Sequence, residues 1–149
     1  MKLAEALSER ADIKKRIEQL ETRLILNAKV QDGEKPSEDP KELITELDHL
    51  TKRFEELVTK INLRNATVVD SSETLTSLLA RKDALTLKIN VMRDFLSEAS
   101  SITSRGTRSE IKILPTIDVA SYQKKIDKLS KELRELDVRI QTINWTIDL

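Results

Sequence analysis

Few side chains in this sequence could carry out catalysis or bind a metal. His49 is the single histidine, and the absence of cysteine excludes disulfides, thiolate metal sites and a cysteine nucleophile. A metal site at His49 would need further ligands one helical turn away, where Lys52 and Arg53 stand instead. The sequence contains no HExxH, Glu-x-x-His, P-loop, GxGxxG or GxSxG motif. We therefore predict a protein that is not an enzyme and that holds no metal and no cofactor.

Two polar segments and one aromatic residue are candidate contact sites. The first segment contains Asn27, Lys29 and Gln31. The second adds positive charge to a long loop and contains Arg105, Arg108 and Lys112. Three cations could bind an anion or an acidic partner, but a solvated loop has the same composition. Trp145, the only tryptophan, either closes the end of a helical bundle or anchors a subunit contact, since buried tryptophans often dominate interfaces.

The charge pattern bears on partners and location. Lys plus Arg and Asp plus Glu each total 26, and the two signs are interspersed along every segment. Nucleic-acid binding calls for a concentrated basic face, so we predict no nucleic-acid partner. The longest uncharged stretch, 140–147, has eight residues, whereas a membrane-spanning helix needs about 20 apolar residues. Because charged residues also interrupt the N-terminal segment, we expect a cytoplasmic protein.

Composition and hydrophobic spacing together predict an α-helical protein. Ala, Glu, Lys, Leu and Arg make up just under half of the chain, which has only two glycines and three prolines. Apolar residues recur at spacings of three and four, as on one face of a coiled-coil helix. Asp39-Pro40 supplies an N-cap and a proline at the first helical position. Four helices are predicted at about 2–29, 40–64, 72–100 and 118–145.

The predicted fold is all-α, in a single domain over residues 1–149. Matched helix lengths and short connections favour four long antiparallel helices, as an up-down bundle or as helical hairpins with coiled-coil-like packing. The connection at 100–117 is longer than the two to eight residues usual between bundle helices. Partial alternation in Ile111-Lys112-Ile113-Leu114 indicates a short extended segment or β-hairpin there, with 67–69 as its candidate pairing partner.

Several short strings resemble the septicolysin-like family of small bacterial proteins, in order along the whole chain. They are Met1-Lys2-Leu3-Ala4-Glu5-Ala6-Leu7, Asn27-Ala28-Lys29-Val30-Gln31 before Glu38-Asp39-Pro40, Arg64-Asn65, Thr74-Leu75-Thr76, Ser109-Glu110-Ile111 leading to Val119, and Ile143-Asn144-Trp145-Thr146. The family name implies an oligomeric pore-forming cytolysin. The resemblance supplies no catalytic residue.

Three functional hypotheses follow from the sequence. The leading one is a non-enzymatic helical-bundle protein that acts by self-association, as a homo-oligomer, or by binding a protein partner. The alternative, implied by the resemblance, is a pore-forming cytolysin that acts on membranes and is secreted without a recognisable signal. A minor third is an enzyme whose site uses only carboxylates and amides, such as Asn27, Asn62, Asn65 and Asn144.

Overall fold

The fold consists of four long helices with a small β-hairpin between the second and the third. A computed structural model describes residues 1–101 and 111–149. The elements are α1 (Leu3–Leu26), α2 (Pro40–Asn65), β1 (Val68–Asp70), β2 (Glu73–Thr74), α3 (Leu75–Ser100) and α4 (Val119–Thr146). The predicted all-α class with a short β-hairpin is confirmed. The helices begin and end within three residues of the predicted positions.

The chain divides into two compact units, the first of which comprises Met1–Leu75 and Thr142–Leu149. In this unit α1 and α2 form an antiparallel hairpin with a heptad core. The buried residues of the heptad series lie seven apart on each helix: Ala6, Ile13 and Leu20 on α1, and Leu43, Leu50 and Leu57 on α2. This spacing is the signature of coiled-coil packing. The nonpolar spacing in the sequence therefore determines which helix faces meet.

Three ion pairs fix the register of the α1–α2 hairpin. Arg53 Nε lies 2.7 Å from Glu9 Oε1, and Arg16 Nη2 lies 3.2 Å from Glu46 Oε1. Arg23 Nε donates a hydrogen bond of 3.0 Å to Glu38 Oε2. Residues further along α1 pair with residues that come earlier in the 38–53 segment, so the two helices run antiparallel.

At the start of α2, Asp39 Oδ1 accepts the Lys41 N–H at 2.9 Å, which confirms the predicted N-cap.

A β-hairpin lies at 68–74, and the hairpin or extended segment predicted at 100–117 falls in part outside the described residues. β1 and β2 pair antiparallel, with Val68 opposite Thr74. Ser71 and Ser72 form the connecting turn, with φ values of +42° and +70°, as a primed hairpin turn requires. Residues 111–117 contain no strand, and 102–110 lie outside the described residues. The β-branched run at 67–69 pairs locally because a two-residue turn closes with less entropy loss than a long loop.

The ends of the described chain pair with each other within the first unit. The Leu3 N–H donates to the Ile147 carbonyl at 3.1 Å, and the Leu149 N–H donates to the Met1 carbonyl at 3.0 Å. Lys2 Nζ lies 3.0 Å from Asp148 Oδ1. Arg64 Nε donates to the Asp148 carbonyl at 2.8 Å. Segment 147–149 is therefore held by both backbone and side-chain contacts.

The second unit, Thr76–Gln141, is built from α3 and α4. Its buried apolar residues are Leu78, Ile89 and Leu96 of α3 and Ile126, Leu136 and Ile140 of α4. Lys82 bonds to Asp137, and Arg93 Nη2 donates to Ser130 Oγ at 3.1 Å. The rings of Phe95 and Tyr122 meet edge to face with centroids 6.0 Å apart. These contacts place α3 antiparallel to α4.

The ion pairs of the first unit predict a loss of stability in acid. The hydrogen bond from Arg53 holds the pKa of Glu9 below its ordinary value of 4.5, and the hydrogen bond from Arg23 does the same for Glu38. The lowered pKa values mean that both glutamates stabilise the fold above about pH 4.5 and that this contribution is lost as pH falls through their folded-state pKa values. Urea unfolding at a series of pH values measures the effect.

The control for this acid dependence is the variant Glu9→Gln, Glu38→Gln. Without the two carboxylates, the free energy of unfolding should fall less steeply between pH 5 and pH 3 than in the wild-type protein. Equal slopes would show that the two arginine–glutamate pairs do not contribute to the acid sensitivity.

Candidate interaction surface

The predicted contact residues at the α1–α2 connection have different surroundings. Asn27 is the C-cap of α1, and its Nδ2 donates to the Arg23 carbonyl at 2.8 Å. Its Oδ1 accepts the Glu38 N–H at 3.1 Å. Lys29 and Gln31 are exposed in the loop. Asn27 thus ties the end of α1 to the segment that leads into α2, while the other two side chains are open to solvent.

Asn27→Ala is expected to lower the free energy of unfolding by about 1–2 kcal/mol, because two side-chain hydrogen bonds are lost at about 0.5–1.5 kcal/mol each. The matched control is Asn62→Ala on α2, where the side chain is exposed and alanine favours the helix. Denaturant titration of both variants measures the difference. Equal stabilities of the two variants would contradict the capping role of Asn27.

Of the remaining predicted contact residues, the structure describes Lys112 and Trp145. Lys112 is exposed in the segment before α4, and Arg105 and Arg108 lie outside the described residues. Trp145 is 63% exposed near the end of α4. Its exposure means that it does not close the end of a helical core, which was one of the two sequence interpretations.

A row of exposed apolar residues runs along α3, and all of its members except Phe95, whose ring also meets Tyr122 of α4, lie on the face opposite the one that packs against α4. We call it the α3 outer face, and its members are Ala80, Ala84, Leu87, Val91 and Phe95. Leu87 and Val91 are 67% and 69% exposed. The residues follow one another at spacings of four, three, four and four, so they lie on one side of the helix. A helix with apolar residues on two opposite faces is typical of an element that packs on both sides.

Most of the corresponding outward positions of α4 are charged. Lys124, Lys128, Lys131 and Glu135 are exposed along that helix, and Lys131 Nζ lies 4.0 Å from Glu135 Oε1. This is the usual solvated surface of an amphipathic helix. Among the described residues of the second unit, α4 has one largely exposed large apolar residue, Val138, whereas α3 exposes Leu79, Leu87, Val91 and Phe95. Apolar exposure on the two helices is therefore concentrated on α3.

The α3 outer face continues into the segment before α4. Phe95, 44% exposed, lines a groove of about 230 Å³ together with Ile113 and Leu114. Ile113 and Leu114 are themselves largely exposed. Leu87, Val91, Phe95 and this segment therefore form the most extensive run of exposed large apolar side chains in the described part of the second unit. Exposed apolar patches of this kind mark sites of interaction.

A second concave surface lies in the first unit, along α2. This groove, of about 510 Å³, is lined by cations and by apolar side chains, among them Arg53, Lys60, Arg64, Leu57 and Leu63. Arg53 is engaged by Glu9, and Arg64 bonds to Thr67 and to the Asp148 carbonyl. Both arginines are thus already used in contacts within the fold.

The described residues do not meet the requirements of a three-ligand metal site or of a membrane-spanning helix. His49 is exposed on α2. In residues 1–101 and 111–149, no group of three or more His, Cys, Asp or Glu side chains could hold a metal ion. The same part of the chain has no helix that is both long and apolar enough to cross a membrane.

Comparison with known proteins gives a family assignment. A family of unknown function, DUF6847, matches residues 10–149. The chain belongs to DUF6847. The predicted membership of the septicolysin-like family is therefore wrong. The strings that carried that resemblance are only two to seven residues long, which is too short to specify a family.

A solved structure shares the DUF6847 chain's fold. It is the crystal structure of a functionally unknown conserved protein from Corynebacterium diphtheriae, with a TM-score of 0.88 and 41% sequence identity. The match covers 100% of this chain and 98% of that chain. No curated protein matches the chain.

Proposed function

We propose that this protein is a non-enzymatic binding protein that acts by association through the α3 outer face. The observation that carries the proposal is the row of exposed apolar residues on α3, with Leu87 and Val91 two-thirds exposed. Complete burial of an aliphatic side chain of this size stabilises an interface by about 1.5–3 kcal/mol. Burying Leu87 and Val91 is a substantial driving force for association.

Helix propensity supports the same proposal. Valine is less favourable than alanine in a helix because its branched β-carbon loses rotamer freedom. Because Val91 is 69% exposed, it contributes little packing within the described fold. Its lower helix propensity is therefore not offset by packing within the second unit. Burial of the Val91 side chain against a partner would offset that lower helix propensity. The non-enzymatic part of the proposal rests on the sequence, which offers one histidine and no cysteine.

The test compares two variants that are matched in residue type and exposure. Leu87→Glu, Val91→Glu places two carboxylates on the α3 outer face. The control, Leu63→Glu, Val138→Glu, makes the same changes at residues that are 67% and 64% exposed on α2 and α4. We expect the wild-type protein and the control to sediment in cell extract as a complex larger than one chain. The α3 variant should sediment as a single chain, because a buried unpaired carboxylate opposes association.

Two results would contradict the proposal. One is a wild-type protein that sediments as a single chain both at its natural abundance and at raised protein concentration. The other is an α3 variant that keeps the same complex as the control. Circular dichroism of each variant verifies that the helices are intact, which exposed positions on helix surfaces should allow.

A further inference from the structure

We infer that the partner of the α3 outer face is a second copy of this chain, with the two α3 helices packed in parallel. The inference rests on the proposed function, and it specifies the partner and the orientation. Its basis is the heptad register of the apolar residues together with the charges that flank them on the same helix. Both features are self-complementary, so α3 supplies both halves of the contact.

The register matches a parallel two-stranded coiled coil. If Ala84 and Val91 occupy the a positions, then Ala80 and Leu87 occupy the d positions. A β-branched residue at a and leucine at d is the combination that favours two parallel strands. The two alanines let the helix backbones approach closely at the N-terminal end of this row. The residues at a and d are all exposed and available.

The flanking charges select the parallel orientation. In the same register Asp83 is a g position and Lys88 is the e position five residues later, and both are exposed. Parallel pairing brings the g residue of one helix next to the following e residue of the other, so Asp83 would meet Lys88 of the second copy, twice by symmetry. Antiparallel pairing would set the flank with Arg81 and Lys88 against itself, which opposes association through like charges.

The sequence also sets the limits of the contact. The next d and a positions are Asp94 and Glu98. Carboxylates that face their own copies repel each other, so the paired segment ends after Val91 and spans about three helical turns at 3.6 residues per turn. A contact of this length with two alanine layers is small for a stable interface. We therefore expect a reversible dimer whose population rises with protein concentration.

Disulfide trapping of single-cysteine variants tests the orientation. Because the chain has no cysteine, Val91→Cys introduces a unique thiol at an a position, and Val138→Cys is the matched control on α4. Under mild oxidation the Val91→Cys protein should form a disulfide-linked dimer much faster than the control, because parallel a positions face each other. Crosslinking no faster than in the control would overturn the inference.

Charge reversal and mass measurement complete the test. Light scattering of the wild-type protein should show a mass that rises from one chain toward two with concentration. Asp83→Lys and Lys88→Asp should each weaken the dimer about three- to tenfold, since each reversal replaces two attractive pairs by two repulsive ones. The double variant Asp83→Lys, Lys88→Asp should restore the affinity to within about twofold. Failure of the double variant to recover would contradict the parallel pairing.

The outcomes separate this inference from the proposed function. A wild-type chain that stays monomeric at all concentrations, while the α3 variant still loses a larger complex in cell extract, overturns self-pairing and leaves the proposed function standing. A monomeric chain with no complex in extract overturns both.

Discussion

Replacement of Leu57 by alanine is expected to lower the free energy of unfolding of the first unit by about 2–5 kcal/mol. Leu57 is fully buried and belongs to the same heptad series as Leu43 and Leu50. The loss combines the transfer free energy of the deleted methyl groups with the cavity that remains in a thin core. Urea unfolding followed by circular dichroism measures the change.

The matched control for this core prediction is Leu63→Ala on the same helix. Leu63 is 67% exposed, so its truncation should change the free energy of unfolding by no more than about 0.5 kcal/mol. Comparable losses at positions 57 and 63 would contradict the assignment of the α2 faces. A small loss at both positions would show that the heptad interface is not what stabilises the hairpin.

Substitutions on the two faces of α3 should have clearly different effects on the stability of the second unit. Ile89 is buried, and Ile89→Ala is expected to lower the free energy of unfolding by about 2–5 kcal/mol. Val91 is 69% exposed, and Val91→Ala is expected to leave stability unchanged or raise it by about 0.5 kcal/mol, because alanine favours the helix. Unfolding is measured at low concentration, where the chain is monomeric.

The same pair of variants bears on the role of the outer face. If Val91→Ala raises stability and also weakens association, then valine at position 91 is kept for binding and not for folding. If Val91→Ala costs as much stability as Ile89→Ala, the valine is packed within the chain and the α3 outer face is not free to bind a partner.

The helices and their packing faces were predictable from sequence. The series through Ile13 and Leu20, and through Leu43 and Leu50, repeats every seven residues, and such a repeat specifies one face of a coiled-coil helix. The sequence Asp39-Pro40 predicted the start of α2, because Asp39 can accept a hydrogen bond from a free N–H of the first turn and Pro40 has no N–H to satisfy. These are local or strictly periodic signals, which a single sequence carries.

The position of the β-hairpin was not predictable in the same way. The β-branched residues Val68 and Val69 indicated strand propensity, but their partner segment Glu73–Thr74 has only two residues. The turn at Ser71-Ser72 lacks the asparagine or glycine that usually marks a primed turn. Because short strands are defined by pairing more than by composition, the sequence alone did not locate the partner.

The residues of the α3 outer face follow a helical spacing in the sequence, but a second apolar series on the same helix has the same kind of spacing. The apolar series through Leu85 and Ile89 accounts for the packing of α3 on α4. From the sequence alone, Leu87 and Val91 could not be distinguished from further buried residues of an apolar helix. Their 4-3-4 spacing with Ala80 and Ala84 becomes informative once the structure shows that this second series is exposed. The exposure of a helix face depends on which other elements pack against it, and the sequence of that helix alone does not contain this information.

The central claim is that the α3 outer face is covered by a partner in the functional state. A scan with a photo-crosslinking amino acid in living cells tests it directly, with the probe placed in turn at Ala84, Leu87 and Val91, and at Ser97 and Val138 as exposed controls. We predict covalent adducts at the first three positions and far fewer at the two controls. Adducts spread equally over all five positions, or absent from the first three, would contradict the claim.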